Sequence, residues 1–143
     1  MLKHLGEHEW SVSGETKSNE FIKALFKHTD YGDPGTDKTP WCAACVSAAL
    51  EETGCKSMHS AAAIAYAKYG TPCALTPGCI VVLQTPEGGH HVAFLDHVVD
   101  STAVVLLGGN QAKALARTVF HIRDGQHYKI IYSAWPIPAR IEA

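Results

Sequence analysis

Near residue 71 the chain changes texture, and no other feature constrains its fold as much. Before that point apolar residues recur at helical spacing. Phe21, Ile22, Leu25 and Phe26 stripe a segment over residues 18–28, an Ala- and Leu-rich run follows from Cys42 to about Thr53, and a third Ala-rich segment over residues 59–69 is closed by Gly70. After it come short β-type runs punctuated by proline and glycine, over residues 79–84, 91–99, 102–107, 117–121 and 128–132. Helices first and a strand meander after are the pattern of an α+β fold, with N-terminal helices packed on an antiparallel sheet of about five or six strands. No internal repeat or linker divides the 143 residues, so residues 1–143 are expected to form one domain.

The second helical segment carries the reactive-site candidate. It opens Thr39-Pro40-Trp41-Cys42-Ala43-Ala44-Cys45. Pro40 suits a first helical turn and Thr39 can cap it, which puts Cys42 among the unpaired N–H groups at the positive end of the helix dipole. Such a position favours thiolate over thiol and makes a cysteine nucleophilic. Two other readings stand beside this one. Cysteine in an Ala-rich helix is often a small core residue, which is the reading given to Cys45. Trp41-Cys42-Ala43-Ala44-Cys45 also has the W-C-x-x-C form of a thioredoxin-like thiol oxidoreductase, although that motif requires a strand leading directly into it. Residues 31–38 read instead as a turn-rich loop.

The strand meander supplies possible partners. With Asp100 and Ser101 as a two-residue turn, Val99 pairs with Thr102 and the ladder brings His91 opposite Asn110. A histidine beside an amide side chain is the base-and-orienter half of a Cys-His-Asn site. A one-residue slip would bring His90 or Val92 opposite instead. His90, His91 and His97 with a cysteine also raise the idea of zinc, but the paired spacings of a zinc site are missing, and no metal or other cofactor is expected.

Composition narrows the setting. A net charge of −2 without a basic stripe speaks against nucleic acid and anionic membrane as partners, and no apolar run approaches a membrane span. The first nine residues lack the apolar stretch of a signal peptide, which predicts synthesis in the cytoplasm without one. Five cysteines leave four beside Cys42, and Cys73 with Cys79 is the pair closest in the chain among the candidates for a disulfide.

Taken in order, Pro40-Trp41-Cys42-Ala43-Ala44, Pro77-Gly78-Cys79-Ile80-Val81-Val82, Gly89-His90-His91-Val92-Ala93-Phe94 and Leu107-Gly108-Gly109-Asn110-Gln111 resemble the CHAP class of cysteine, histidine-dependent amidohydrolases and peptidases. This class belongs to the papain-like NlpC superfamily, whose small phage and bacterial members cleave peptidoglycan peptides. The resemblance runs from Gly6-Glu7-His8-Glu9, Gly14 and Asn19 to Trp135-Pro136. Three positions depart from the pattern: a His90-His91 doublet replaces one Gly-His, Cys45 stands where an aromatic is usual, and Cys79 replaces an aspartate.

The resemblance implies a papain-like catalytic domain with Cys42 as nucleophile, His91 as base and Asn110 as orienter. It implies cleavage of amide bonds in peptidoglycan stem peptides, as an amidase or endopeptidase. Trp41, beside the nucleophile, reads equally as a wall of the substrate groove or as a core aromatic, with His90 a further substrate contact and weaker candidate for the base. The setting expected is bacteriolytic, in the periplasm or cell wall of a target or host cell: a phage endolysin, or an injected antibacterial effector of the type VI kind with a cognate immunity protein. The alternatives are a thiol oxidoreductase using Cys42 and Cys45, or a non-catalytic binding module of the same fold.

Overall fold

A computed structural model describes residues 4–6, 19–34, 40–111, 113–122 and 127–138. The fold is α+β, with two short helices against a five-stranded antiparallel sheet. The first helix, α1 (Glu20–Leu25), runs into a 3-10 turn, Phe26–His28. Its cap is Asn19, whose Oδ1 accepts from the Phe21 N–H at 2.9 Å; Glu7, His8, Glu9, Gly14 and Thr39 lie outside the described residues.

Helix α2 spans Cys42–Glu52, so it starts two residues later than Pro40 would have allowed, with Trp41 at the cap position. Nearly every residue of α2 is buried, because it is sandwiched: Cys42, Ala43, Val46 and Leu50 face the sheet, while Trp41, Ala44, Cys45 and Ala48 meet Ile22, Leu25, Phe26 and Leu115. Its small side chains permit this two-sided approach. The expected third α-helix is a 3-10 segment, Ala63–Lys68. Tyr66 draws this segment toward α2, its hydroxyl hydrogen-bonded to Ser47 Oγ at 2.6 Å and accepting from the Met58 N–H at 3.2 Å. These side-chain bonds fix a tight turn where alanine content alone would favour a regular helix.

The strands are β1 (Ile80–Gln84), β2 (His90–Asp100), β3 (Ala103–Gln111), β4 (Ala114–His121) and β5 (Lys129–Ala134), in the sheet order β4-β3-β2-β1-β5. Alternation sends Ile80, Val82 and Val92 toward α2 and Val81, Leu83, Ala93, Leu95, Val104 and Leu106 to the other face. The second face is closed by the sheet's own curl, since Phe120, Ile122, Tyr128 and Ile130 pack on it. A parallel bridge, Ile122↔Tyr128, joins the ends of the two edge strands. Among the described residues no helix is long and apolar enough to cross a membrane.

Two register shifts in the β2–β3 hairpin alter the expected pairing. At the turn Asp100 pairs with Ala103, and Asp100 Oδ1 accepts from the Thr102 N–H at 2.7 Å, so the turn lies one residue later than Asp100-Ser101. Farther along, the shifts between Leu95/His97 and Val98/Asp100 bring the ladder back to the expected register, and Phe94 pairs with Leu107.

Candidate active site

The start of α2, the start of β2 and the end of β3 converge on one cleft of about 310 Å³, lined by Pro40, Cys42, Thr85, His90, His91, Asn110, Gln111, Thr118, Phe120 and Tyr128. A larger hollow of about 520 Å³ between α1 and the following loop is lined by lysines, carboxylates and apolar groups, with no cysteine or histidine. Volume does not locate the chemistry; the side chains do.

Cys42 is the first residue of α2, and its thiol shares the cleft with the His91 ring. Burial pushes this thiol up, yet the neighbouring His91 ring and its charge, together with the Val92 and Ala43 N–H groups, bring it below the ordinary cysteine value. His91 is buried at 8% exposure, and burial alone would hold it neutral; the neighbouring Cys42 and a bond to Gln111 raise it instead. The two shifts point the same way: each group favours the charged form of the other.

The tautomer follows from the amide. Gln111 Nε2 donates to the Leu106 carbonyl at 3.0 Å and the Ala116 carbonyl at 2.7 Å, so both its protons are engaged. Its Oε1, an acceptor, faces His91 Nε2 at 3.0 Å. Nε2 is therefore the protonated nitrogen of the neutral ring, and Nδ1 carries the lone pair that takes the thiol proton. Phe120 covers the ring, stacked at 5.4 Å and 27°.

Gln111 thus stands where Asn110 was expected. The cause is local. Between Gly108 and Gln111 the β3–β4 register shifts by one residue, and Asn110 takes a left-handed φ of 56°. The extra residue interrupts the two-residue alternation, so Gln111 turns toward His91 and Asn110 lines the cleft. Both glycines ahead of it serve close approach. A Cβ on Gly108 would lie 2.8 Å from Gln111 Oε1 and 2.6 Å from Ala93 Cβ; one on Gly109 would lie 2.7 Å from the Trp41 ring and 2.8 Å from Cys45 Cβ.

Of its two readings Trp41 takes the core one and is no wall of the groove. Its exposure is 0%, and it packs with Ile22, Phe26 and Leu115 beneath Gly109. His90 is exposed and lines the cleft. His97 lies six residues beyond His91 on β2, roughly 20 Å away along an extended strand, and bonds Asp96 at 2.7 Å. Among the described residues no group of three or more His, Cys, Asp or Glu side chains is placed to hold a metal ion.

Gln111, Phe120 and the Val92 N–H were not singled out from the sequence. A Gly-Gly-Asn run late in a strand is a signal for a bulge, and a bulge would have moved the assignment from Asn110 to Gln111. Comparison with protein-family models, curated proteins and solved structures found no match.

Proposed function

We propose that this protein is a papain-like cysteine hydrolase that cleaves amide bonds of peptidoglycan stem peptides, with Cys42 as nucleophile, His91 as base and Gln111 as orienter. One observation carries the reading: Cys42 and His91 share one cleft and perturb each other's ionisation, while the His91 ring is hydrogen-bonded to Gln111, whose amide protons are both committed elsewhere. The layout supports a papain-like assignment, since a nucleophile opens a helix packed on an antiparallel sheet whose neighbouring strands bring the histidine and the amide. The choice of peptidoglycan rests on the sequence resemblance, and the open, polar-lined cleft is compatible with a peptide chain.

In the reaction, His91 Nδ1 takes the Cys42 proton and the thiolate sulfur attacks the amide carbon. The oxyanion meets N–H groups at the positive end of α2. His91 then gives its proton to the departing amine as the C–N bond breaks, leaving a thioester. It next takes a proton from water, whose hydroxide releases the carboxylate and restores the thiol. No step calls for a cofactor. The same reading extends to a bacteriolytic role in the periplasm or cell wall of a target or host cell, with an immunity protein that would occlude the Cys42 cleft.

The test is mass spectrometry of purified peptidoglycan fragments after incubation with wild-type protein and with Cys42→Ala. New fragments with wild type alone are expected, and their masses name the bond. Intact fragments with folded, reduced wild type would overturn the substrate assignment.

A further inference from the structure

Of the five cysteines, two lie at the end of β1 away from the cleft. Cys79 immediately precedes β1, roughly 13 Å along the strand from Leu83, which pairs with His91. Its side chain is fully buried in the cluster formed by Val81, Leu95 and Phe120, and the half-buried Cys73 packs against the same cluster. The two side chains meet at this cluster, near enough for Cys73 to perturb the Cys79 thiol.

The backbone holds both residues without help from sulfur. The Cys73 N–H donates to the Ser133 carbonyl at 2.9 Å and Ser133 Oγ returns a bond to the Cys73 carbonyl at 2.6 Å. The Cys79 N–H donates to the Thr76 carbonyl at 2.9 Å, and its carbonyl accepts from the Leu95 N–H at 2.8 Å. With both thiols free and packed on one cluster, on a backbone pinned at each residue, joining them calls for side-chain rotation and not for refolding. The other cysteines have different neighbours: Cys42 meets His91, Cys45 meets the Gly109 N–H, and Cys55 bridges Pro138 through its backbone.

We propose that Cys73 and Cys79 form a redox-modification site, which a small-molecule or protein disulfide converts to an intramolecular disulfide that staples the loop ahead of β1. Cys73, the solvent-reachable partner, attacks as thiolate on one sulfur of the oxidant and releases the other as a thiolate. Cys79 loses its proton and attacks the Cys73 sulfur of that mixed disulfide, expelling the second thiolate. Two electrons and two protons pass to the oxidant, which ends as two thiols. The staple lies at the far end of the sheet from the cleft and does not depend on the hydrolase reading.

Full-length Cys42→Ala protein, which removes exchange at the cleft thiol, is equilibrated in buffers of increasing glutathione-disulfide ratio, denatured, alkylated and digested without reductant. A Cys73–Cys79 cross-linked peptide is expected, with the melting temperature rising on the order of 5 °C upon oxidation. Cys73→Ser in the same background should show neither the cross-link nor the rise. Alkylation of both residues throughout the series, or capture of either on Cys45 or Cys55, overturns the proposal. So does an equal rise in melting temperature with Cys73→Ser.

Discussion

Cys42 and Cys45 stand three residues apart on one helix, both buried, with opposite chemistry. Cys42 opens α2 against β2, where the His91 ring and two N–H groups converge on its sulfur and bring the thiol down. Cys45 lies one turn on against β3, packed by Trp41 and Gly109, where burial and the nearby charge of Cys42 push it up to about 12. Burial is common to both, so it does not create the nucleophile. Each sulfur also has an N–H near it, so what differs is the imidazole beside Cys42.

The sharpest way to break that contrast is to delete each sulfur. Cys42→Ala should abolish amide hydrolysis, by about 10⁴-fold or more, while Cys45→Ala keeps near wild-type turnover. Equal loss in both, accompanied by disulfide-reductase activity, would move the assignment to the oxidoreductase reading. Next in size, His91→Ala should cost about 10²- to 10⁴-fold in turnover. It should also change the pH at which iodoacetamide alkylates Cys42. In wild type the half-rise is expected below that of free cysteine; without His91 burial dominates and the half-rise moves above it. A half-rise unchanged by the substitution would show that His91 does not set the thiolate.

The pH profile of hydrolysis carries the same signs. On the hydrolase reading activity should fall in acid as Cys42, held low, is protonated, and in alkali as His91, held high, loses its proton. Gln111→Ala should lower turnover by about 10- to 100-fold, with Gln111→Asn recovering little because the shorter chain does not span the 3.0 Å contact. Retention of full activity in Gln111→Ala would remove it as orienter. Gly109→Ala tests the Cys45 side of the helix. Its Cβ collides with the Trp41 ring, and a stability loss of about 1–3 kcal/mol is expected by chemical denaturation. Smallest of all, Asn110→Gly should leave the fold intact, since glycine accepts the left-handed φ at 110, and any change in KM reads the side chain's contact with substrate.

Much of this arrangement was legible before any coordinates. The helix-then-strand order, the position of Cys42 at a helix start and the strand around His91 follow from periodicity and punctuation, which act locally. What the sequence hid depends on distant neighbours. Trp41 reads equally as groove wall or core aromatic beside Cys42, and the choice is set by the gap that Gly109 leaves on β3. Residues 63–68 have helical composition, yet Tyr66 is tied to Ser47 and Met58 and tightens the segment. The hairpin count placed His91 opposite Asn110 from the wrong turn residues. Shifts within β2–β3 moved the ladder from its turn pairing, and the β3 bulge then exchanged Asn110 for Gln111 at the histidine.

The sources of the three reactive groups have a consequence for the chain before it is complete. The helix bearing Cys42 is a local structure, whereas His91 and Gln111 come from strands whose ladder must close before the two side chains meet. A nascent, stalled or threaded chain therefore carries an ordinary, protonated thiol, harmless to its neighbours. On the proposed hydrolase reading, the attacking form of the sulfur arises only with the finished sheet, so assembly itself is the arming step.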